Sequence, residues 1–310
     1  MNDLKDYQLK LKSILRASGW TQDQAAHQLK VSFATLNSWI NNRSVPRSKA
    51  ANDIERLYLK VVGTEQIDPK ELLAAKQKAL SLKMVADDLT SNKELLDKLT
   101  LYLTYHTNTI EGSTMTLSDV GSVIFDHKTL TNRTSIEQAE ARNHQAALHW
   151  LLDQLYANGP NFVISENLIL NVHLRLMNGI ISDAGQYRKH SVRIMGSQTV
   201  LANQAKIPEL INGLVKDIEK PENACLEFIA QSHARFEQIH PFSDGNGRTG
   251  RLIMLAQALK TGLMPPLIQK ERKYAYYKYL ELAQIKDNYQ PLEFFVAESI
   301  MFTDKILNDH

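Results

Sequence analysis

Apolar residues recur at intervals of three and four positions over most of the chain, and stretches of alternating apolar and polar residues are few. This spacing places apolar side chains on one face of a helix, so the pattern predicts a mainly α protein. The exception is the segment from Tyr187 to Val200, where Val192 and Ile194 alternate with polar residues before a Gly-Ser pair. That pattern is typical of a β-hairpin, and we expect one small hairpin in a helical fold.

Helix-breaking residues indicate the domain boundaries. Gly63 and Pro69 interrupt the helical pattern, and a chain of 310 residues is long enough for a large domain and a smaller one. We therefore predict a small helical domain at residues 1–63, a helical linker at 64–91 and a larger domain at 92–310.

The first of these segments differs from the rest in charge. Residues 1–60 hold ten Lys and Arg against five Asp and Glu, whereas the remainder holds 26 against 29. This excess of positive charge favours an anionic partner for the N-terminal domain alone.

Composition excludes several classes of protein. No segment approaches the roughly 20 consecutive apolar residues of a membrane helix, and the N-terminus lacks the pattern of a signal peptide. Cys225 is the one cysteine of the sequence, which excludes an internal disulfide and argues against a thiolate zinc site. We expect a cytoplasmic protein without membrane contact.

Two short helices are predicted within residues 11–58. Thr21 can cap the first, and Ser32 can cap the second, which carries Leu36, Trp39 and Ile40 on its apolar face. A tight connection of three residues separates them. Two helices in this arrangement can present the second one to the major groove of DNA.

The string TQDQAAHQLKVSFATLNSWINNRSVPR at residues 21–47 resembles the helix-turn-helix of the Cro/repressor type. One departure is Lys30, which stands where that family usually has glycine and which tolerates a positive φ poorly. The resemblance implies that bases are contacted by one set of side chains and phosphates by another. These sets are Phe33, Ala34 and Asn37 for bases, and Lys30, Arg43 and Arg47 for phosphates. The alternative is that this domain contacts protein, including the larger domain of its own chain.

The segment HPFSDGNGRTGR, from His240 to Arg251, carries the chemistry. Apolar helical patterns precede and follow it, so Gly245 and Gly247 lie in the connection between two buried helices. Glycine lets the backbone turn its N–H groups inward as an anion-binding concavity, and the next helix adds its positive end. Arg248 and Arg251 are three positions apart and can point the same way, which suits a polyphosphate.

Two further residues complete a nucleotide-transfer site. Asp244 supplies the single carboxylate that Mg²⁺ uses beside phosphate oxygens, and His240 supplies a base near neutral pH. Gly245, Gly247 and Gly250 also satisfy the dinucleotide pattern G-x-G-x-x-G. That pattern requires a preceding strand, and here a helix precedes it, so we reject a Rossmann domain.

This segment resembles the Fic signature H-P-F-x-[DE]-G-N-G-R-x-x-R at every defined position. The resemblance implies a Fic helical core and transfer of AMP from ATP to a protein hydroxyl. It also implies a general base at His240, Mg²⁺ held by Asp244, and phosphate oxygens bound by Gly245, Asn246, Gly247 and Arg248, with Arg251 on the γ-phosphate. Gly247 stands where the related Doc-like phosphate-transferring toxins have lysine, which favours AMP transfer.

The segment TNTIEG, from Thr107 to Gly112, resembles the inhibitory pattern [ST]-x-x-x-E-[GN] of the same family. The resemblance implies an inhibitory helix at about residues 92–112, with Glu111 pairing with Arg251 in place of the γ-phosphate. The alternative is an exposed glutamate at a helix end. In some relatives this glutamate supports removal of AMP, which leaves open whether transfer or removal dominates here.

Residues 192–196 look like the flap that positions the target segment; they are Val192, Arg193, Ile194, Met195 and Gly196. The alternative for Val192 and Ile194 is ordinary strand packing. Tyr274, Tyr276 and Tyr277 either line an adenine pocket or belong to a helical core.

The sequence and these resemblances together predict an autoinhibited AMP transferase that acts on a protein. The chain itself is among the candidate targets, and self-association is left open. The rival hypothesis is a DNA-binding regulator whose Fic domain senses or modifies a partner.

Overall fold

The computed structural model describes residues 2–308 and divides the chain into two compact units. The first unit comprises Met1–Gln66 and Gln269–Tyr279, and the second comprises Ile67–Ile268 and Leu280–His310. Helices dominate both units, as the apolar spacing predicts. Within the described residues, the one β-type pairing is an isolated antiparallel bridge between Lys83 and Leu263.

Four helices form most of the first unit. They are α1 (Asn2–Ser18), α2 (Gln22–Gln28), α3 (Phe33–Ile40) and α4 (Ser48–Val61). The N-caps predicted for the middle two helices are confirmed, since Thr21 accepts a hydrogen bond from Gln24 N and Ser32 accepts one from Thr35 N. The predicted core residues Leu36, Trp39 and Ile40 are buried.

The turn between α2 and α3 adopts the conformation expected for a glycine although Lys30 occupies it. Lys30 has φ +54°, and its N–H donates to His27 O while Val31 N donates to Ala26 O. These two bonds close a Schellman motif at the end of α2. The lysine therefore takes a left-handed conformation that costs about 1 kcal/mol for a residue with a Cβ.

The second unit is a helical bundle. Its helices are α5 (Pro69–Ser81), α6 (Ala86–Thr90), α7 (Lys93–Ile110), α8 (Leu117–Ile124), α9 (Ser135–Asn158), α10 (Glu166–Met177), α11 (Ile207–Ile218), α12 (Leu226–Ile239), α13 (Asn246–Lys260), α14 (Lys273–Lys286) and α15 (Gln290–Asn308). The boundary between the units falls inside α14, after Tyr279. Helix α5, within the predicted linker, packs against α15.

Helix α13 lies at the centre of this bundle, in contact with α12, α10, α9 and α7. Nearly all its residues from Asn246 to Leu259 are buried, on every side of the helix. A helix buried all round keeps polar side chains only where they find partners. Its polar residues are therefore held in place by the helices around them, which positions the site.

The predicted β-hairpin is not formed: residues 187–203 are a loop with one tight turn, in which Ser197 N donates to Ile194 O over 3.3 Å. The two sides of the loop are joined by Arg188 and not by hydrogen bonds between strands. Its guanidinium donates to His190 O on one side and to Ala202 O on the other. Met195 is 97% exposed and Val200 83%, so no apolar face supports a pair of strands.

Among the described residues, no helix combines the length and the apolar character needed to cross a lipid bilayer.

Candidate nucleotide-transfer site

The last turn of α12 presents His240. This residue is the C-cap of the helix and has a left-handed backbone, with φ +48° and ψ +61°. Its Nδ1 lies 3.1 Å from Glu237 O. A carbonyl oxygen can only accept, so Nδ1 carries the proton and Nε2 keeps its lone pair in the neutral ring. Burial lowers the pKa of His240, although the bond to Glu237 O opposes this effect. The imidazole is therefore a neutral base with its Nε2 available.

Asn246 fixes the loop that follows His240. Its Oδ1 accepts from Phe242 N and its Nδ2 donates to Phe242 O, both over 2.9 Å. The side chain is 2% exposed. The amide therefore holds the loop through both of its ends, and its Nδ2 has a second N–H besides the one given to Phe242 O. That Asn246 binds a phosphate oxygen stays a prediction. Its backbone N–H, at the first position of α13, remains part of the helix N-terminus.

His173 supports the same loop from α10. Its ring stacks on Phe242 with centroids 3.6 Å apart. Nδ1 accepts from Gly185 N at 2.9 Å, so Nε2 carries the proton and donates to Asp244 O at 3.0 Å. Burial lowers the pKa of His173 to about 4, so the ring is neutral and this tautomer is stable at pH 7.

The glycines create the hollow at the start of α13. Gly245, the N-cap, has φ +77°, and no side chain caps the helix. The first-turn N–H groups are thus directed at the loop without a side-chain acceptor, as in anion sites at helix N-termini. A Cβ on Gly245 would lie 2.7 Å from Met177 Sδ, and one on Gly247 would lie 2.5 Å from Glu111 Oε1. A Cβ at either position would therefore require these side chains to move, and at Gly245 it would also meet a positive φ of +77°.

Arg248 points inward to a partner that the sequence does not reveal. Its Nη1 donates to Glu140 Oε1 on α9 at 2.6 Å, and its Nη2 lies 3.6 Å from Asp244 Oδ2. The Arg248 side chain is 3% exposed, whereas that of Asp244 is 61% exposed. The guanidinium therefore lies between a half-buried carboxylate, that of Glu140, and an exposed one, that of Asp244.

Arg251 is bound by the end of α7, as the sequence predicts. Its Nε donates to Thr107 Oγ1 at 2.7 Å, and its Nη2 donates to Glu111 Oε1 at 2.5 Å. Glu111 is the C-cap, and Gly112 follows with φ +111°. Gly112 N donates to Thr109 O and Ser113 N to Asn108 O, which completes a Schellman motif. The glycine thus ends the helix immediately after the carboxylate that pairs with Arg251.

Buried ionisable groups surround this ion pair. Burial raises the pKa of Glu237 to about 8, an effect that Arg251 opposes and Glu111 reinforces. Burial lowers the pKa of both His144 and His233 to about 3. Glu237, His144 and His233 are therefore uncharged at pH 7. The charged groups in the ion pairs of α13 are the guanidiniums of Arg248 and Arg251 and the carboxylates of Glu111, Glu140 and Asp244. Glu111 thus offsets the charge of Arg251, the arginine predicted to meet the γ-phosphate.

The predicted flap residues lie apart from these contacts. Met195 and Gly196 form the tip of the loop and are exposed, as are Arg193 and Ile194, while Val192 is half-buried. The base of the loop is tied to the motif, because Arg188 Nε donates to His240 O at 2.7 Å. Glu281 Oε1 accepts from Gln198 N at 2.8 Å on the other side of the tip.

The residues predicted to contact DNA belong to the first unit. Five of the six are exposed: Lys30, Phe33, Ala34, Arg43 and Arg47. Asn37 is half-buried, and its Nδ2 donates to Gln22 Oε1 at 3.0 Å. The N-terminal face of α3 therefore lies open.

The three tyrosines also fall in the first unit, where Tyr276 is buried and Tyr274 and Tyr277 are exposed. The alternative that these tyrosines belong to a helical core is therefore confirmed for Tyr276 and not for the other two.

Sequence reasoning missed Glu140 and His173. Glu140 lies 108 positions from its partner Arg248, and His173 lies 71 positions from Asp244. No local spacing links such residues, so only the fold brings them to the motif.

Two segments of the chain match models of known families. Residues 163–258 match the model of the Fic/DOC family, and residues 11–58 match a helix-turn-helix model. The first range contains the whole motif from His240 to Arg251, and the second contains α2 and α3.

Curated relatives carry the name protein adenylyltransferase Fic. The protein from Aedes aegypti is 28% identical over 238 residues, which are 76% of this chain and 47% of the relative. The protein from Nematostella vectensis is 30% identical over 62% of this chain and 45% of the relative. The chain thus spans about half the length of the curated relatives that it matches.

Solved structures show the same fold. A Fic domain-containing signaling protein from Bacteroides thetaiotaomicron aligns with a TM-score of 0.63 and 20% identity, over 76% of this chain and 97% of that chain. Fic-1 from C. elegans aligns with a TM-score of 0.65 and 21% identity, over 92% and 84%.

Proposed function

We infer from the Fic/DOC domain at residues 163–258 that this chain transfers AMP from ATP to a hydroxyl group of a protein, and that Glu111 restrains the reaction by pairing with Arg251. The observation that carries the proposal is the neutral His240 beside an uncapped, glycine-lined helix N-terminus with two buried arginines. The relatives named protein adenylyltransferase support the same reaction.

The proposed reaction begins at His240. Its Nε2 takes the proton of a Ser, Thr or Tyr hydroxyl while the oxygen attacks the α-phosphorus of ATP. The P–O bond to the β-phosphate breaks, so AMP stays on the protein and pyrophosphate leaves. Because Nδ1 is fixed on Glu237 O, the imidazole presents the same nitrogen throughout. The lowered pKa of His240 keeps the imidazole neutral, which is the form that can accept the proton.

The uncapped N–H groups of α13 and the two arginines would hold the phosphates. Arg248 would contact the β-phosphate and Arg251 the γ-phosphate. These donors stabilise the charge that builds up on the phosphoryl oxygens in the transition state. Gly247 gives the triphosphate backbone access, since a Cβ there would fill the space beside Arg251.

The residues present fit one Mg²⁺ ion bound together with the nucleotide. In the described residues, no three His, Cys, Asp or Glu side chains lie close enough to form a metal site by themselves. Asp244 offers one carboxylate, 61% exposed, which suits an ion that uses one or two carboxylates plus phosphate oxygens. The ion would neutralise charge on the phosphates.

Glu111 would inhibit by occupying Arg251. The γ-phosphate and the Glu111 carboxylate need the same guanidinium, so both cannot bind it at once. The short, charge-assisted hydrogen bond from Arg251 Nη2 to Glu111 Oε1 belongs to the stronger class of hydrogen bonds in proteins. The exposed loop at residues 192–196 would hold an extended segment of the target by main-chain pairing.

Incubation with Mg²⁺ and ATP labelled at the α-phosphate tests this proposal. We expect weak self-labelling of the parent chain, stronger labelling of Glu111→Gly and none of His240→Ala. Glu94→Gly, at the exposed start of the same helix α7, controls for the effect of a glycine on that helix. Equal labelling of all variants would remove His240 and Glu111 from the mechanism.

We propose a second function, DNA binding, for the first unit. The helix-turn-helix match at residues 11–58 supports it, as does the open N-terminal face of α3 with the exposed cations Lys30, Arg43 and Arg47. Binding of the full chain and of residues 67–310 to genomic DNA fragments would be compared at several salt concentrations. Equal retention would favour a protein-binding role for this unit.

A further inference from the structure

Both arginines of α13 are paired with a glutamate from another helix, but the two glutamates are placed differently. Glu111 is the C-cap of α7, and a glycine in the left-handed conformation follows it. Glu140 lies inside α9, a helix of 24 residues that begins at a full capping box formed by Thr134 and Glu137. Glu111 thus lies at a helix end, whereas Glu140 lies in the second turn of α9, inside a helix start that is fixed by its capping box.

The ion pair of Glu140 with Arg248 is also the more deeply buried of the two. The side chains of Arg248 and Glu140 are 3% and 15% exposed, against 8% and 28% for Arg251 and Glu111. A buried guanidinium without a partner would destabilise the fold, so Arg248 is expected to keep its carboxylate in every state of the site.

The contact orients the guanidinium of Arg248. Glu140 Oε1 holds Nη1 at 2.6 Å, and this places Nη2 3.6 Å from Asp244 Oδ2, beyond the distance of a hydrogen bond. Nε is buried and has no hydrogen-bond partner among the described residues. Without Glu140, the nearest carboxylate for Arg248 is Asp244, which is exposed and in reach.

We propose that Glu140 is a positioning residue for the nucleotide: it holds Arg248 where a phosphate can meet it, and it keeps Arg248 from pairing closely with Asp244. The proposal rests on the proposed function, because it gives Arg248 and Asp244 a phosphate and a metal ion to bind. It also assigns the two glutamates opposite effects. Glu111 opposes nucleotide binding, and Glu140 supports it.

The test separates the position of the Glu140 side chain from its charge. Glu140→Gln keeps an oxygen at the same distance along the side chain and removes the charge. Glu140→Asp keeps the charge and withdraws the carboxylate by one methylene. Both are made in the full chain with Glu111→Gly, so that nucleotide binding is measurable. The probe is the α,β-methylene analogue of ATP, which cannot donate AMP, and its affinity is measured by calorimetry with Mg²⁺; kcat and KM for ATP are measured in parallel.

A positioning role predicts that Glu140→Asp weakens binding of the analogue about tenfold or more and lowers kcat, since small displacements of positioned groups have effects of this size. Glu140→Gln should stay within about threefold of its parent, because its amide oxygen accepts the same hydrogen bond from Nη1. Weaker binding by Glu140→Gln than by Glu140→Asp would overturn the proposal in favour of charge alone. Tighter binding by either variant would mean that Glu140 is a second inhibitory carboxylate, and would overturn it too.

A matched pair of variants controls for the loss of a buried ion pair. Glu293 pairs with Lys76 at 2.5 Å and its side chain is 9% exposed, but it lies on α15 and contacts no residue of the motif loop in the described hydrogen bonds and ion pairs. Glu293→Asp and Glu293→Gln should leave the affinity for the analogue unchanged. An equal loss of affinity in the Glu293 and Glu140 variants would reduce the effect to stability and overturn the proposal.

The proposed function and this inference fail differently. If the Glu111→Gly parent neither binds the analogue nor labels itself, the proposed function is wrong. If the parent does both and the Glu140 variants match it, only the positioning role is wrong.

Discussion

The two regions with recognisable motifs, the helix-turn-helix and the loop from His240 to Arg251, differ in how their polar side chains are held. In the helix-turn-helix, five of the six residues predicted to contact DNA are exposed. In the loop, Asn246, Arg248 and Arg251 are buried: Asn246 is bonded to the backbone of Phe242 within the loop, and the two arginines are bonded to residues of other helices.

The two sites differ in how firmly their side chains must be fixed before a partner or a substrate binds. A surface that meets a flat, charged partner can leave its side chains in water until the partner arrives. A site that stabilises charge on a reacting group needs donors whose positions are fixed beforehand, because reorganisation during the reaction is costly. Substitutions in the loop should therefore have larger effects than substitutions in the helix-turn-helix, and the following predictions test this in descending order.

The largest effect is expected for the general base. In the Glu111→Gly chain, His240→Gln should reduce the rate of AMP transfer by roughly 10²–10⁴-fold, the usual contribution of a positioned acid or base. Binding of the ATP analogue should change little, since the proposed reaction places His240 at the target hydroxyl and not at the phosphates. Single-turnover labelling measures the rate. A loss of less than about threefold would mean that another group takes the proton.

The next effect concerns acid pH. Burial lowers the pKa of His144 to about 3, so the unfolded chain binds a proton near pH 6.5 that the folded chain does not. Stability should therefore fall as the pH decreases from 6.5 towards 3, by about 1.4 kcal/mol per pH unit. Glu237 acts in the opposite sense, since its raised pKa makes stability fall as the pH rises from about 4.5 to 8.

The variant His144→Gln isolates the contribution of this histidine. Urea unfolding of the second unit at pH 6.5 and 4.5 should show a smaller acid-induced loss of stability in the variant, by on the order of 2–3 kcal/mol. Thr104 Oγ1, which lies 2.9 Å from His144 Nδ1, can bond to the glutamine amide. An identical pH dependence in both chains would show that folding does not lower the pKa of His144.

Asn246 and Asn37 form a matched pair across the two regions. Asn246→Ala leaves the buried N–H and C=O groups of Phe242 without partners and should lower the free energy of unfolding by about 2–3 kcal/mol. Asn37→Ala removes two solvent-accessible bonds, to Gln22 Oε1 and from Asn41 Nδ2, and should cost less than about 1 kcal/mol because water can replace both partners. Denaturant unfolding followed separately for each unit measures both. The reverse order would contradict the contrast between a fixed site and an open surface.

The smallest effect belongs to the exposed cations. If Arg43 contacts a DNA phosphate, Arg43→Gln should reduce the slope of log affinity against log salt by about 0.9, uniformly across DNA sequences. Lys216→Gln, a cation on α11 in the second unit, serves as the control. An unchanged slope would place Arg43 outside the interface.

Much of the local structure could be predicted from the sequence because its causes are local. The caps Thr21 and Ser32, the buried α12 and α13 on either side of the motif, and the helix that ends at Glu111 follow from capping residues and apolar spacing. The pairing of Glu111 with Arg251 could be predicted only from the resemblance to a family, because 140 positions separate the two residues.

The features that could not be predicted depend on side-chain contacts that neither apolar spacing nor capping residues reveal. The alternation of Val192 and Ile194 suggested strands, but the carbonyl groups of that loop are bonded by Arg188 instead of by a second strand. From the sequence, the amide of Asn246 is as suitable for binding a phosphate as for bonding the loop. Its two hydrogen bonds to the backbone of Phe242 are visible only in the folded structure. Glu140 carries no signal in its own segment, because α9 brings it to Arg248 from 108 positions away.

The central claim is that the site transfers AMP rather than a terminal phosphate. The Glu111→Gly chain would be incubated in parallel with ATP labelled at the α-phosphate and with ATP labelled at the γ-phosphate, and the label bound to protein would be counted. The account predicts that the α-label is incorporated and that the γ-label is not. Incorporation of the γ-label would contradict it.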